Sequence, residues 1–280
     1  MEEIFTLLID CSDEKGLIYK VTSVLYQSGC NIIRNDEYVS QEDVHFFMRS
    51  EFSGQSAMVH TVIAELKKVL PPDAHIRLSR KEKRNIVILV TKEHHCLSEL
   101  LTRAHFNELN ANILAVISNY DTLQNFTEKF NIPYQYVSHQ DLSREAHEEK
   151  IVAAIKQYAP DYVVLAKYMR ILTPAFVQEF ENKIINIHHS FLPAFIGANP
   201  YRQAFERGVK IVGATAHFVN NQLDEGPIIA QSVIPVDHRQ DAAEMALAGK
   251  DIEKYVLSNA LRIVFDDKVF VNGNKTIVFD

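Results

Sequence analysis

Apolar and polar positions follow one rhythm through residues 1–80 and another through the rest of the chain. Residues 4–9 (IFTLLI) form a continuous apolar run of strand length, followed by polar residues 10–15 and then Gly16. Leu17, Val21, Val24 and Leu25 recur at helical spacing, and Gly29 stands where a left-handed residue ends a helix. Residues 31–40 and 44–52 read as strands joined by Gln41-Glu42-Asp43. Residues 56–70 read as a helix stopped by Pro71-Pro72, and 74–78 as a last strand. The order βαββαβ is the ferredoxin-like arrangement.

From residue 86 onward, apolar strands alternate with helices. Strands are expected at 86–90, 113–118, 134–137, 162–166 and 184–187, separated by helices at 96–104, 121–130, 144–158 and 174–180. Such alternation builds an α/β domain with a doubly wound, mostly parallel sheet, whose chemistry gathers beyond the C-terminal strand ends. Further strands are expected at 213–219 and 228–230, a long helix at 241–265 and a hairpin at 269–278. The division is a domain at 1–80, a charged linker at 81–85 and a second domain at 86–280, which suits a chain of 280 residues.

Composition narrows the function. Hydrophobic residues at 47% and charged residues at 23% are ordinary for globular domains. A net charge of −7 without a basic block excludes a general nucleic-acid or membrane-surface binder. Cys11, Cys30 and Cys96 are scattered without CxxC spacing, as in a reduced cytoplasmic protein. The acidic Met1-Glu2-Glu3 is unlike a signal peptide, and no apolar run approaches the ~20 residues of a membrane span. None of the nine glycines falls in GxGxxG or GxxxxGK[ST] spacing. The loop Thr91-Lys92-Glu93-His94-His95-Cys96 is glycine-free, so a nucleotide cofactor is not expected. His94, His95 and Cys96 are adjacent in sequence and lack the second ligand pair of a structural zinc site, so no metal is expected either.

Candidate chemistry lies late in the chain. In Ile184-Ile-Asn186-Ile-His188 two polar side chains alternate with isoleucines, so in an extended chain Asn186 and His188 point the same way. An amide N–H beside an imidazole N–H suits an oxyanion formed by attack on an acyl carbonyl. On spacing alone, a polar strand end satisfied by backbone remains the bland alternative. Asp224 lies in Asn220-Asn-Gln-Leu-Asp224-Glu225-Gly226-Pro227, where a rigid turn aims a carboxylate inward. A carboxylate near an imidazole can order a water and accept its proton; Glu225 competes for that role.

These segments, together with Met169-Arg170-Ile171-Leu172 and His217-Phe-Val219, resemble the formyltetrahydrofolate-using family, glycinamide ribonucleotide formyltransferase among them, over most of 85–280. The resemblance implies Asn186, His188 and Asp224 as a catalytic triad. It implies Met169, Arg170, Ile171, Leu172, Leu223 and Glu225 as folate-binding residues, and a structural or water-holding role for His217. Asp10 to Gly16-Leu17, followed by Gly29-Cys-Asn31, resembles an ACT domain, in which a strand-to-helix turn helps bind small amino acids at a dimer interface. That implies a homo-oligomer and an effector site at Asp10, Gly16, Leu17 and Asn31.

An ACT domain ahead of this catalytic domain resembles the formyltetrahydrofolate deformylases nearly end to end. In them water replaces the amine acceptor and the products are tetrahydrofolate and formate. The folate is then a substrate, and no cofactor is implied. Glycine or methionine is the expected effector, on the argument that a hydrolase acting on the one-carbon pool for purine synthesis needs regulation. The alternatives are a folate-dependent formyltransferase with an unidentified amine acceptor and a non-catalytic amino-acid sensor. One departure is local: Asn199 stands where a basic residue is expected before Pro200-Tyr201.

Overall fold

The computed structural model describes residues 2–194 and 200–279. The chain packs as two compact units, one of Met1–Glu82 with Asp266–Phe270 and Phe279–Asp280, the other of Lys83–Phe265 with Val271–Val278.

The first unit contains β1 (Glu3–Ser12), α1 (Leu17–Gln27), β2 (Asn31–Ser40), β3 (His45–Gly54), α2 (Val59–Val69) and β4 (His75–Arg80). Its sheet has the order β2-β3-β1-β4, with β3 and β4 both antiparallel to β1, which is the ferredoxin-like topology. Phe5, Leu7 and Ile9 of β1 pack in one core with Val21 and Leu25 of α1 and Leu66 of α2, as period-2 and period-3.6 apolar patterns require. Gly16 at φ 89° starts α1 in a left-handed conformation. Arg49 in β3 is also fully buried. Its Nε donates to the Asp267 carbonyl at 2.8 Å and its Nη2 to the Asp266 carbonyl at 3.1 Å, and it pairs with Glu51 at 2.5 Å. A buried guanidinium is tolerable because these acceptors satisfy its donors, and they tie residues 266 and 267 into this unit.

The second unit runs β5 (Arg84–Val90), α3 (His95–His105), β6 (Ala111–Ser118), α4 (Gln124–Glu128), β7 (Tyr134–Tyr136), α5 (Arg144–Lys156) and β8 (Tyr162–Leu165). It continues with α6 (Pro174–Glu179), β9 (Ile184–His188), α7 (Pro200–Arg207), β10 (Ile211–Phe218), β11 (Ile228–Pro235) and α8 (Ala242–Phe265). Its sheet order is β11-β10-β9-β8-β5-β6-β7. From β9 to β7 every neighbouring pair is parallel. The chain winds outward from β5 to β7 and returns to β8 on the opposite side of β5, so a crevice opens beyond the C-terminal ends of β5 and β8. The α8 helix buries Met245, Gly249, Ile252, Val256, Leu257 and Ala260 along one stripe. A final hairpin, β12 (Val269–Asn272) and β13 (Lys275–Val278), turns at Gly273 with φ 56°.

Three features differ from the pattern-based expectation. The helix expected over 121–130 is confined to Gln124–Glu128. Thr122, Asn125 and Thr127 are weak helix formers, and Asn131 turns left-handed two residues before Pro133. α7 was not anticipated. β10 runs antiparallel to both β9 and β11, closing the sheet with an antiparallel edge. Among the described residues no helix is long and apolar enough to cross a membrane.

Leu89 is fully buried in β5, the middle of the parallel part of the sheet. Leu89→Ala is expected to destabilise the protein by about 2–5 kcal/mol, read as a lower urea midpoint at unchanged slope.

Candidate active site

β9 lies between β8 and β10, and its alternating residues Asn186 and His188 face one cavity of about 590 Å³. The antiparallel register sets His217 of β10 opposite Asn186, and Thr215 opposite His188. His217 Nδ1 is 2.7 Å from the Phe218 carbonyl, which can only accept. Nδ1 therefore carries the proton, and Nε2 accepts from Asn186 Nδ2 at 3.2 Å. This wiring orients the Asn186 amide and leaves its second N–H for another partner. Thr215 steadies the chain after β9. Its hydroxyl accepts from the Leu192 amide at 3.1 Å and donates to the Ser190 carbonyl at 2.9 Å.

Asp224 reaches the same place from the turn between β10 and β11. Its backbone has φ 57°, a left-handed conformation that aspartate tolerates better than most side chains. The Gln222 amide donates to Asn220 Oδ1 at 3.0 Å, and the Phe218 amide to the Pro227 carbonyl at 2.9 Å. At Gly226 a Cβ would lie 1.8 Å from the Phe218 carbonyl oxygen, so the turn closes only around glycine. Asp224 Oδ1 then sits 3.3 Å from His188 Nδ1 and 3.9 Å from His217 Nε2. Burial pushes the Asp224 carboxyl up, but the hydrogen bond and electrostatic attraction of His188 outweigh it and hold the carboxyl below its ordinary range. Burial pushes His217 down and keeps it neutral. His188 is 5% exposed, and its Nε2 is buried without a hydrogen-bond partner among the described residues.

Met169, Arg170, Ile171, Leu172 and Leu223 line the same cavity. Met169, Ile171 and Leu223 are 56%, 50% and 54% exposed, large apolar side chains that present contact area to a ligand. The segment is anchored at both ends: the Met169 amide donates to Thr91 Oγ1 at 2.9 Å, and the Thr173 amide to Glu148 of α5 at 3.1 Å. Glu225 is not among the described lining residues; its amide closes the turn onto the Gln222 carbonyl at 3.3 Å. In the first unit, Gly16 and Leu17 line a hollow of about 280 Å³ with Glu14, Tyr38 and Phe46. Asp10 and Asn31 do not line it. Asp10 instead faces His75 at 3.0 Å and His45 at 3.4 Å, and Asn31 opens β2. Asn199 lies outside the described residues.

Motif spacing does not single out the polar end of the cavity. Glu253 of α8 is 1% exposed and accepts from His95 Nε2 at 2.7 Å, the Tyr201 hydroxyl at 2.7 Å and Lys167 Nζ at 3.1 Å. Burial pushes its carboxyl up, but the His95 hydrogen bond and the Lys167 charge outweigh this and bring it down to about 2. The signal was nonetheless present, since a carboxylate on the apolar stripe of a helix needs a partner. His95, Cys96 and Glu253 bring ligand atoms within 4.8 Å of one another, but the Lys167 ammonium already pairs with the carboxylate oxygen that His95 uses. His189 stacks on His188 with centroids 5.0 Å apart. Burial, then Lys167 and His188, push it down to about 4.

An amide, an imidazole and a carboxylate gathered at the strand-end crevice of a doubly wound sheet define an α/β enzyme of the acyl-attacking class. Residues 84–261 match the formyl transferase family. A formyltetrahydrofolate deformylase of Haemophilus influenzae is 52% identical over 272 residues, 97% of this chain and 98% of its own length. The crystal structure of a formyltetrahydrofolate deformylase from Pseudomonas syringae superposes with a TM-score of 0.95 at 37% identity, covering 100% of this chain and 95% of that one. The chain belongs to the formyl transferase family and, within it, to the formyltetrahydrofolate deformylases. Glycinamide ribonucleotide transformylase 1 from Symbiobacterium toebii, at TM-score 0.68 and 28% identity, covers 71% of this chain and 95% of its own.

The buried groups set the acid sensitivity. The unfolded chain protonates His189 near pH 6.5, the folded chain only near 4. The stability owed to neutral His189 is therefore complete above about 6.5 and is lost as the pH falls toward 4. Glu253 contributes above 4.5 and loses its contribution as the pH falls toward about 2. Urea midpoints are expected to fall across the His189 window, and His189→Gln to flatten that part of the curve.

Proposed function

We propose that the protein hydrolyses 10-formyltetrahydrofolate to tetrahydrofolate and formate, with Asn186, His188 and Asp224 as the catalytic residues. The observation that carries this reading is the 3.3 Å contact of His188 with Asp224 beside an Asn186 amide oriented by His217. The deformylase relatives support it, since they match the whole chain, whereas the transformylase matches 71% of it.

The folate lies against Met169, Arg170, Ile171, Leu172 and Leu223 and presents its N10-formyl carbon to the triad. Asp224, held ionised, orients a water and takes its proton as the oxygen attacks. The free N–H of Asn186 and the Nε2–H of His188 donate to the oxyanion. As the C–N10 bond breaks, the Nε2 proton of His188 passes to N10; Nε2 is then reprotonated from solvent, Asp224 releases the proton it took from water, and the formic acid formed ionises to formate. Glu225 has no part in this scheme, and His217 acts by orienting Asn186.

The ferredoxin-like first unit is read as an ACT-type regulatory domain spanning 1–80, ahead of a linker at 81–85 and the catalytic domain at 86–280. Its hollow at Gly16 and Leu17 is the candidate site for glycine or methionine, and Asp10 and Asn31 are not part of it. The enzyme is taken to be a cytoplasmic homo-oligomer that supplies formate and balances the folate pool for purine synthesis.

Incubation with 10-formyltetrahydrofolate and no amine is expected to give repeated turnover to formate; a requirement for an amine would instead mark a transferase. Asn186→Ala is expected to lower kcat by roughly 10²–10³. A near-wild-type rate in that variant would remove the oxyanion role. Activity should fall on the acid side only as Asp224 protonates, below the ordinary carboxyl value of 3.8.

A further inference from the structure

The two ends of the cavity differ in chemistry. One wall is apolar and open, carried by Met169, Ile171, Leu172 and Leu223. At the other end Lys167, Tyr201 and Glu253 converge, and the His189 ring lies between Tyr201 and His188, with centroids 6.4 and 5.0 Å away. Both oxygens of Glu253 are engaged, Oε2 by His95 and Lys167, and Oε1 by Tyr201. Lys167 and Glu253 are 5% and 1% exposed, so the charges are paired with each other and present little surface to a ligand. The Tyr201 ring rests on the bare backbone of Gly249, where a Cβ would fall 2.1–2.4 Å from three of its atoms. A glycine inside a long helix is unfavourable relative to alanine, and here it makes room for that ring.

We infer that Lys167, Tyr201 and Glu253 form a plug that occupies the space an amine acceptor would need beside the formyl carbon, leaving room for water alone. This rests on the deformylase reading above. The folate enters along the apolar wall, and the attacking group approaches from the plugged end. The plug's charges are already paired, so it offers no free donor or acceptor to hold the body of an acceptor. These residues act on the choice of nucleophile, not on the bond-breaking step.

The test is partition between two nucleophiles in the full-length protein, with hydroxylamine as the probe amine. Its nitrogen would attack the formyl carbon and lose a proton to Asp224, and the C–N10 bond would break as the Nε2 proton of His188 passes to N10, both groups then re-equilibrating with solvent. The products would be formohydroxamic acid and tetrahydrofolate. Wild type is expected to yield formate, with formohydroxamate only at the uncatalysed background. Tyr201→Ala is expected to raise the formohydroxamate-to-formate ratio by about tenfold or more, the scale on which pocket contacts discriminate. Gly249→Ala, which displaces the ring without removing a polar partner, is expected to move the ratio the same way. The double variant Lys167→Met with Glu253→Gln keeps the space filled and should leave the ratio at the wild-type value whatever its rate. Equal loss of both products in Tyr201→Ala and Gly249→Ala, at unchanged ratio, would overturn the plug. So would a raised ratio in the filled double variant. A wild type inert without hydroxylamine would instead sink the hydrolase reading itself.

Discussion

β10 runs antiparallel to β9, whereas from β9 to β7 the sheet is parallel throughout, and the meeting of Asn186, His188 and Asp224 depends on that reversal. It sets His217 directly across from Asn186, so that an imidazole clamped by a backbone carbonyl can orient the amide. It also returns the chain through a short turn whose carboxylate lands beside His188. A parallel partner would need a long crossover in place of that turn. The close approach at Gly226 and the left-handed backbone at Asp224 are local conditions of the same reversal.

Two carboxylates in the second unit, Asp224 part-buried and Glu253 fully buried, show how neighbours set a group's state. Asp224 is kept ionised by the hydrogen bond and electrostatic attraction of His188, beside an imidazole nitrogen that has no partner among the described residues. That arrangement leaves capacity for a substrate. Glu253 is also kept ionised, but by an ammonium, an imidazole and a phenol that together occupy its oxygens. The first carboxylate keeps acceptor capacity open to the cavity, and the second is locked into structure. Low dielectric strengthens both sets of contacts, so saturation by partners, more than burial, separates them.

The first unit solves a different problem. Its small sheet and two helices have their own apolar core, and a large charged side chain buried in the unit, Arg49, is matched by two carbonyls and a carboxylate. Two of those acceptors come from residues 266 and 267, so sequence-distant chain completes the satisfaction of a buried charge.

Periodicity along the chain determined the element order, because strand and helix burial leave different repeats in a sequence. It also brought Asn186 and His188 to one face through simple alternation. The βαββαβ order and the parallel strands of the second unit were legible in this way. The shortened α4, the unexpected α7 and the antiparallel edge were not, since weak propensities and strand direction leave little trace in a pattern of apolar positions. Asp224 was visible as a carboxylate in a rigid turn, but its partner was not. The roles of His217, Lys167, Tyr201 and Glu253 depend on contacts between residues 31 to 158 positions apart. Sequence determined which chemical groups were available and which faces they occupied. Only the tertiary structure decided which of them met, because pairing and desolvation act through distances in space that the order of residues does not contain.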